Sequence, residues 1–239
     1  MVITGGTSGI GLATARLLLD KGARVLVTGR SQAAVQSASD ALGPNAIAIQ
    51  SDATSMLDID ALADRAKAEF GSVDLLFVNA GSTHFVPFHC MTEAVYDDLL
   101  TLNTKAPYFT VQRFLPLMAE GSAVVLTTSV VNVMGLPLVS AYSASKAALR
   151  SMARTLAVEL LPRGIRVNAV SPGPIDTTIL AKAMPSDDAE QTKCLMAQDN
   201  PMKRVGHPDE VAKAVAFLGF EATYTTGAEF PVDGGVSQL

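Results

Sequence analysis

The amino-acid sequence predicts an α/β fold in which a doubly wound, seven-stranded parallel sheet carries helices on both faces. Short apolar runs alternate with longer helical patterns along the whole chain. The runs at residues 24–28, 73–78 and 123–128 are mostly apolar rather than alternating, as expected of strands that are buried on both faces. Since 49% of the 239 residues are hydrophobic and only 17% are charged, the chain can bury a large core. We therefore expect one domain that spans residues 1–239.

The individual elements follow from the spacing of apolar residues and from the turn residues between them. The expected strands are Val2–Thr4, Arg24–Thr28, Ala46–Gln50, Val73–Val78, Ala123–Thr128, Ile165–Val170 and Ala228–Val232. The expected helices are residues 10–21, 31–42, 56–70, 92–119, 140–162 and 208–220. This alternation is typical of parallel strands that are joined by crossover helices.

The region from Pro172 to His207 departs from the alternation. It contains four prolines and a short helical pattern at about 186–198. An insertion of this length between a strand and the last helix is more often a functional lid than a plain connection. We therefore predict a substrate lid at about 174–205.

Composition and charge exclude several classes of protein. The net charge of −5 and the pI near 5.2 disfavour a nucleic-acid partner. No apolar stretch reaches the roughly eighteen residues of a membrane span, and the first residues do not resemble a secretory signal. The two distant cysteines, Cys90 and Cys194, suit a reducing cytoplasm, where we expect the protein to reside. The scattered histidines His84, His89 and His207 predict no metal site.

A glycine-rich loop from Thr4 to Gly11 lies between the first strand and the first helix. Gly5 can adopt a turn that is closed to other residues, Gly9 lets the backbone approach a pyrophosphate, and Gly11 lets the helix pack close to the sheet. The helix N-terminus offers free N–H groups to phosphates. In this βαβ context the loop indicates a Rossmann-type dinucleotide site, although alone it could be an ordinary tight turn. Its other candidate cofactor contacts are Thr7, Ser8 and Ile10.

The end of the second strand bears on the choice of cofactor. An NAD enzyme usually places an acid there to bind the ribose hydroxyls, but the sequence reads Thr28-Gly29-Arg30-Ser31. Arg30 could bind a 2′-phosphate in a bidentate manner, or it could be a solvated loop arginine. We predict NADP(H) in preference to NAD(H).

Tyr142 and Lys146 are four residues apart in a helical stretch, and so they share one helix face. A nearby ammonium should stabilise the phenolate and lower the pKa of the tyrosine toward neutrality. Such pairs also arise by chance, but Ser129 follows the apolar strand at 123–128 and is expected at the same edge of the sheet. Its hydroxyl could hold a substrate oxygen.

With these residues the sequence resembles the short-chain dehydrogenase/reductase family in its compact form, and in particular its 3-oxoacyl-carrier-protein reductase-like members. The glycine loop resembles the family's T-G-x-x-x-G-x-G, and Asn79-Ala80-Gly81 resembles its N-N-A-G. Ser129, Tyr142 and Lys146 fall where its serine and Y-x-x-x-K are expected. Further matches are Asn103, Pro172-Gly173-Pro174-Ile175-Asp176-Thr177 and Pro231-Val232-Asp233-Gly234-Gly235. Two residues depart from the pattern, namely Val78 and Ala106.

The resemblance implies a role for each matching residue. Tyr142 would be the general acid in reduction and the base in oxidation, Lys146 would hold the nicotinamide ribose, and Ser129 would polarise the carbonyl. Asn103 would anchor a water that relays protons to Lys146, and Asp52 would contact the adenine unless it is a turn or capping aspartate. The implied cofactor contacts further along the chain are Asn79, Ala80, Gly81, Pro172, Gly173, Ile175 and Thr177.

These observations predict an oxidoreductase that transfers hydride between NADP(H) and a small-molecule carbonyl or secondary alcohol. Carrier-bound 3-oxoacyl groups, ketones, aldehydes, steroids and sugars all stay open as substrates. Candidates for an apolar substrate wall are Phe85, Phe88, Val131, Met134, Leu136, Val139, Met184, Met196 and Met202, although many of them could be ordinary core.

Two other functions on the same scaffold are considered, and the sequence also predicts an oligomeric state. A non-catalytic dinucleotide-binding regulator on the same scaffold would be expected to lack part of the Asn-Ser-Tyr-Lys set, and an epimerase or lyase of the family would need a longer chain. The long apolar helices at 92–119 and 140–162 predict a homotetramer, because family members commonly pair these helices.

Overall fold

A computed structural model describes residues 1–183 and 185–239, and in it seven parallel strands form one sheet. The strands are β1 (Val2–Thr4), β2 (Val25–Gly29), β3 (Ala46–Gln50), β4 (Leu75–Val78), β5 (Ala123–Thr127), β6 (Arg166–Pro172) and β7 (Glu229–Val232). Their order is β3-β2-β1-β4-β5-β6-β7, so the chain builds outward first on one side of β1 and then on the other. This confirms the predicted doubly wound, Rossmann-type sheet.

Nine α-helices are found in the described part of the chain. They are α1 (Gly9–Asp20), α2 (Gln32–Leu42), α3 (Met56–Phe70), α4 (Glu93–Leu100), α5 (Ala106–Phe114), α6 (Ser140–Leu160), α7 (Ile179–Ala183), α8 (Ser186–Asp199) and α9 (Pro208–Ala216). Single π-helical turns occur at Thr101–Lys105 and Phe217–Glu221, and short 3₁₀ turns at Phe88–Cys90, Leu115–Leu117, Val130–Asn132 and Leu161–Arg163. None of the described helices has the length and apolar character needed to cross a membrane.

Side chains that alternate along the strands enter two separate cores, one on each face of the sheet. Val124 and Leu126 of β5 pack in the core that α3, α5 and α6 cover. Ala123 and Val125 of the same strand pack in the opposite core, beneath α1 and α9. The continuous apolar stretches within these runs therefore reflect burial on both faces, as predicted.

The helix expected at residues 92–119 is divided into α4, a π-helical turn, α5 and a 3₁₀ turn. Apolar periodicity continues through these pieces, so the pattern alone suggested one helix. Pro107 occupies the second position of α5, where a missing backbone N–H costs little, and Pro116 lies in the terminal 3₁₀ turn. The expected helical pattern at 186–198 is present as α8, and α7 adds a short helix that the sequence analysis did not predict.

The strand register brings the carboxyl ends of the central strands to one level. Thr4 pairs with Val78, and Val78 pairs with Leu126. Thr127, the last residue of β5, pairs with Val170 of β6. The residues that follow these strands therefore meet at a single edge of the sheet, where ligands bind in open α/β folds.

Candidate active site

A cleft of about 290 Å³ lies at this carboxyl edge, between the N-terminus of α1 and the side of α6. The predicted site residues that line it are Gly5, Thr7, Ser8, Gly9, Ile10, Arg30, Asn79, Ala80, Gly81, Ser129, Tyr142, Lys146, Pro172, Gly173, Ile175 and Thr177. Gly11, Asp52 and Asn103 do not line it.

The glycine loop is held close to the strand ends by backbone contacts that exclude side chains. Gly5 has a φ of +63°, and a Cβ there would lie 2.9 Å from the Cα of Ala80. A Cβ on Gly11 would lie 2.3 Å from the carbonyl oxygen of Gly5, so Gly11 allows α1 to pack against the loop. The Asn79 side-chain amide donates to the Gly5 carbonyl at 3.1 Å, and the Thr4 hydroxyl accepts from the Asn79 N–H at 3.0 Å.

The N-terminus of α1 is open toward the cleft. The side chain of Ser8, which precedes α1, makes no capping hydrogen bond, and the first turn of the helix carries no acidic residue. Its N–H groups and the positive end of its dipole are therefore available to an anion. The glycine loop has no room for side chains at Gly5 and Gly11, so its backbone stays close to this end of the cleft. The loop and the helix N-terminus together fit the pyrophosphate of a dinucleotide.

Arg30 and Gly29 form the far end of the cleft. Arg30 is exposed, and its guanidinium makes no hydrogen bond or ion pair within the described residues. A Cβ on Gly29 would lie 2.6 Å from Thr7 Oγ1, so a carboxylate at residue 29 could not be accommodated without moving Thr7. Arg30, whose guanidinium has no partner among the described residues, thus directly follows Gly29, the residue at which an NAD enzyme would carry its acid.

Asp52 lies beside the cleft, where its neighbours Ser51 and Ala53 are the lining residues. One oxygen of the Asp52 carboxylate accepts from the N–H of Thr54 at 2.9 Å and from the Thr54 hydroxyl at 2.8 Å. These contacts favour the alternative interpretation of Asp52 as a turn residue. An adenine contact by its side chain stays a prediction.

Ser129, Tyr142 and Lys146 converge at the other end of the cleft. Ser129 precedes a 3₁₀ turn after β5, and its side chain interacts with the phenol of Tyr142 and acts to lower the pKa of that group. Lys146 comes one helical turn after Tyr142 on α6, and its Nζ lies 5.8 Å from the centre of the tyrosine ring. This ammonium donates to the carbonyl of Thr127 at 2.8 Å and is only 4% exposed. A hydroxyl, a phenol and an amine thus line the same end of the cleft.

Asn103 occupies the π-helical turn between α4 and α5 and is fully buried. Its Oδ1 accepts from the Ser82 N–H at 3.0 Å, while its Nδ2 donates to the Ser82 carbonyl at 3.0 Å and to Ser145 Oγ at 3.1 Å. Gly81 separates it from Lys146, since a Cβ on Gly81 would lie 3.0 Å from Asn103 Oδ1 and 3.4 Å from Lys146 Nζ. Asn103 therefore supports the cleft from behind, and the water relay stays a prediction.

Comparison with known proteins agrees with this geometry. The family model described as enoyl-(acyl carrier protein) reductase matches residues 5–237. A solved structure from Brucella melitensis, described as a short-chain dehydrogenase/reductase of the glucose/ribitol dehydrogenase type, is similar with a TM-score of 0.90 and 31% identity, covering 98% of this chain and 95% of that one. The chain belongs to the short-chain dehydrogenase/reductase family.

Relatives within the family include dehydrogenases and reductases. The chain is 42% identical to oxidoreductase asL5 of Sarocladium schorii, covering 100% of this chain and 95% of the relative. It is 38% identical to cis-4-hydroxycyclohexanecarboxylate dehydrogenase of Sinomonas cyclohexanicum, covering 100% and 96%. An NADPH-bound short chain oxidoreductase from Pseudomonas aeruginosa, described as having an atypical catalytic center, is similar with a TM-score of 0.92 and 31% identity, covering 100% and 96%. The chain is thus an oxidoreductase of this family acting on alcohols or ketones, and the family binds nicotinamide dinucleotides.

Several residues of the site were not singled out from the sequence. Ser82, Leu102, Thr127 and Thr128 line the cleft, and Ser145 holds Asn103. Thr127 and Thr128 directly precede Ser129, so their position at the strand end was a usable signal. Ser145 carried no such signal, because its contact with Asn103 spans 42 residues of sequence.

The segment predicted as a lid contains α7 and α8 and joins the cleft at Ile175 and Thr177. Lys193 of α8 forms an ion pair of 2.8 Å with Asp176, which lies between those two residues. Closure of this segment over a substrate stays a prediction. Of the apolar residues expected in the substrate wall, Val131 and Val139 are buried, Phe88, Leu136 and Met202 are exposed, and Met184 lies outside the described residues.

Burial controls the electrostatics of this short-chain dehydrogenase/reductase site. Desolvation raises the pKa of Tyr142 above its ordinary value, and the hydrogen bond from Ser129 opposes that shift. The sequence argument expected Lys146 to lower this pKa, but in the protein alone desolvation is the larger effect. Burial also lowers the pKa of Lys146 to about 8, because the ammonium has lost much of its hydration.

Replacing Lys146 by methionine tests this effect of burial. The pKa of Lys146 is about 8 in the folded chain, compared with 10.5 for an unperturbed lysine in the unfolded chain. The unfolded state therefore binds more protons between these pH values. The free energy of unfolding of the wild type should therefore rise with pH in this window. Lys146→Met has no amine at this position, so its free energy of unfolding lacks this rise. Between about pH 8 and about pH 10.5 the stability difference should shift by about 3 kcal/mol in favour of the wild type. Urea unfolding across this range measures it, and a constant difference would contradict the shift.

Proposed function

We propose that this short-chain dehydrogenase/reductase transfers hydride between NADP(H) and a small-molecule carbonyl or secondary alcohol, with Tyr142 as the general acid and base. The observation that carries the proposal is the meeting of Ser129, Tyr142 and Lys146 in the cleft that begins at the glycine loop. A non-catalytic regulator would have no use for a buried lysine beside a half-buried tyrosine. Removing these two groups from water costs free energy, and groups with such shifted pKa values cluster at sites where acid–base chemistry takes place.

The proposed chemistry is a proton transfer at Tyr142 Oη coupled to a hydride transfer. A bound nicotinamide dinucleotide supplies the hydride in reduction and accepts it in oxidation. The Ser129 hydroxyl donates a hydrogen bond to the substrate oxygen, which polarises the carbonyl and aligns it with Tyr142. In reduction Tyr142 gives its proton to this oxygen, and in oxidation its phenolate removes the alcohol proton.

Lys146 supports this step through its charge. Because the ammonium is buried within 5.8 Å of the tyrosine ring, it stabilises negative charge on the phenol more strongly than it would in water. One of its hydrogens is committed to the Thr127 carbonyl, which fixes the direction of the amine. No second acceptor for this amine is found among the described residues, which leaves its other hydrogens for the ribose hydroxyls.

The other residues of the cleft would hold the cofactor along its length. The glycine loop and the N-terminus of α1 would bind the pyrophosphate. Pro172, Gly173, Ile175 and Thr177 line the end nearest Tyr142 and would contact the nicotinamide. Arg30 lies at the opposite end and would bind the 2′-phosphate of NADP(H). The NADPH bound by the similar Pseudomonas aeruginosa structure supports this choice.

A cytoplasmic location is part of the proposal. Cys90 and Cys194 are both free and exposed, which suits a reducing compartment.

Replacement of Tyr142 by phenylalanine should lower kcat by at least about 100-fold, since a positioned acid–base group contributes about 10²–10⁴. The affinity for NADPH should stay unchanged, because the ring is kept and only the hydroxyl is lost. A panel of carbonyl substrates followed by NADPH absorbance measures turnover, and fluorescence titration measures cofactor binding. Tyr224→Phe is a matched control, since Tyr224 is fully exposed. Wild-type turnover in Tyr142→Phe would contradict the proposed chemistry.

Replacement of Arg30 by alanine should weaken NADPH binding by about 1.5–3 kcal/mol, as expected for a charge-assisted hydrogen bond. Binding of NADH should change little, because NADH lacks the 2′-phosphate. Titration of both cofactors against the wild type, Arg30→Ala and the surface variant Arg65→Ala measures the difference. Equal or better kcat/KM of the wild type with NADH would show that Arg30 does not select NADP(H).

Two exposed apolar faces support a homotetramer. The first lies on α5 and α6 and includes Tyr108 and Val158, and the second lies around β7 and includes Phe217 and Phe230. A second copy of the chain on each face would bury these apolar side chains, and two such contacts give two sets of two-fold axes. Light scattering should therefore give about four times the chain mass of 24.9 kDa.

Charged substitutions test these two faces separately. Val158→Asp and Phe230→Asp should each reduce the tetramer to a dimer, whereas Leu57→Asp on the exposed side of α3 should not. A wild-type mass of one chain across micromolar concentrations would contradict the tetramer.

A further inference from the structure

A largely buried carboxylate, that of Glu229, sits on the edge strand β7 and belongs to a polar cluster behind Ser129. Its Oε1 accepts from Thr128 Oγ1 at 2.5 Å and from Asn132 Nδ2 at 2.7 Å. Its Oε2 lies 3.4 Å from Arg150 Nε. The side chains of Glu229 and Arg150 are only 14% and 15% exposed. Charged residues on edge strands are ordinarily solvated, so the burial of this carboxylate indicates a specific task.

The partners of Glu229 belong to the two segments that carry the catalytic side chains. Thr128 directly precedes Ser129, and Asn132 ends the 3₁₀ turn that follows it. Both flanks of Ser129 are therefore bonded to the same carboxylate oxygen. Within the segment itself, the Ser129 hydroxyl accepts only a long hydrogen bond of 3.4 Å from the Val131 N–H. Other bonds also hold the segment, since Thr128 donates to the Val170 carbonyl and Ser143 Oγ donates to the Val131 carbonyl. Glu229 adds a side-chain anchor on each flank of Ser129.

The second segment is helix α6. Arg150 lies four residues after Lys146 and eight after Tyr142, so the three side chains lie along one helix face. Besides its ion pair with Glu229, Arg150 donates to the Gly227 carbonyl at 3.0 Å, just before β7. Strand β7 is itself fixed to β6 by the pairing of Glu229 with Ala169. One carboxylate thus connects the sheet, the Ser129 segment and the catalytic helix.

We infer that Glu229 is a positioning residue, which fixes the Ser129 hydroxyl at hydrogen-bonding distance from Tyr142. This inference rests on the proposed function, because the position matters only if both hydroxyls meet a substrate oxygen. A misplacement of about 1 Å can cost about 100-fold in rate, so a carboxylate that touches no substrate can still govern turnover.

The cluster has little capacity to compensate for the loss of its carboxylate. Asn132 Oδ1 and Arg150 Nε are buried and have no hydrogen-bond partner among the described residues. Burial lowers the pKa of Arg150, and the charge of Glu229 opposes that shift. Removing the carboxylate leaves Asn132 Nδ2 without its acceptor and Arg150 without its ion-pair partner, whereas the Thr128 hydroxyl keeps the Val170 carbonyl as an acceptor. Partly satisfied polar networks lose their defined geometry.

Glu229→Gln and Glu229→Ala separate the effect of losing the hydrogen-bond acceptor at residue 229 from the effect of losing its negative charge. Glutamine keeps an oxygen that can accept from Thr128 and Asn132 but loses the negative charge, whereas alanine loses both. Glu69→Ala, which removes an ion pair with Arg65 on the surface, is the matched control. Each protein is assayed well below its melting temperature for kcat, KM, NADPH affinity and the pH dependence of alcohol oxidation.

Glu229→Ala should lower kcat by at least about 10-fold with NADPH affinity unchanged, and Glu229→Gln should restore most of the rate. The Ser129 hydrogen bond lowers the pKa of Tyr142, so its disruption in Glu229→Ala should move the oxidation profile to higher pH. Glu229→Gln keeps an acceptor for Asn132 and Thr128, so its oxidation profile should stay close to that of the wild type. Because both variants lose the negative charge, a shift seen in Glu229→Ala alone reports the loss of position.

Three outcomes would overturn the inference: wild-type kcat in Glu229→Ala, equal losses in both variants, or a loss confined to NADPH affinity. Tyr142→Phe is measured in parallel to keep the two proposals apart. Unimpaired turnover in Tyr142→Phe refutes the proposed function itself. An inactive Tyr142→Phe together with a fully active Glu229→Ala refutes only the positioning role.

Discussion

The parallel register of the central strands is the constraint on which the site depends. Because Thr4, Val78 and Leu126 lie side by side, the glycine loop, the Asn79 segment and the end of β5 all begin at one edge. The hydrogen bonds between Thr4, Asn79 and Gly5 then tie the loop to its neighbour strand. A slip of one residue would turn every side chain to the opposite face and separate these groups.

A second constraint is the buried ammonium of Lys146. Its hydrogen bond is to a carbonyl, and no carboxylate among the described residues forms an ion pair with it. The cation is therefore poorly solvated, and it interacts strongly with any negative charge that develops in the cleft. The fold stabilises this arrangement through two cores, since burial on both faces of the sheet offsets one unfavourable charge.

Much of the fold followed from local patterns, whereas the finer features of the site did not. Apolar runs and glycine positions predicted the sheet, the loop and the segment that carries Tyr142 and Lys146. They did not predict the π-helical turn at Asn103, because the apolar periodicity runs through it unchanged. Nor did they indicate that Asp52 turns its carboxylate toward Thr54, or that Glu229 reaches Thr128 across 101 residues. Burial also reversed the expected direction of the pKa shift at Tyr142, since desolvation depends on tertiary packing.

The contact between Gly29 and Thr7 constrains how this enzyme could change during evolution. An acidic side chain at residue 29 meets the threonine before it can reach a ribose, since even its Cβ would lie 2.6 Å from Thr7 Oγ1. Such a substitution requires a shift of the Thr7 side chain, so we expect the effects of changes at residues 7 and 29 to depend on one another. A change of dinucleotide through an acid at residue 29 should therefore depend on which residue already occupies position 7.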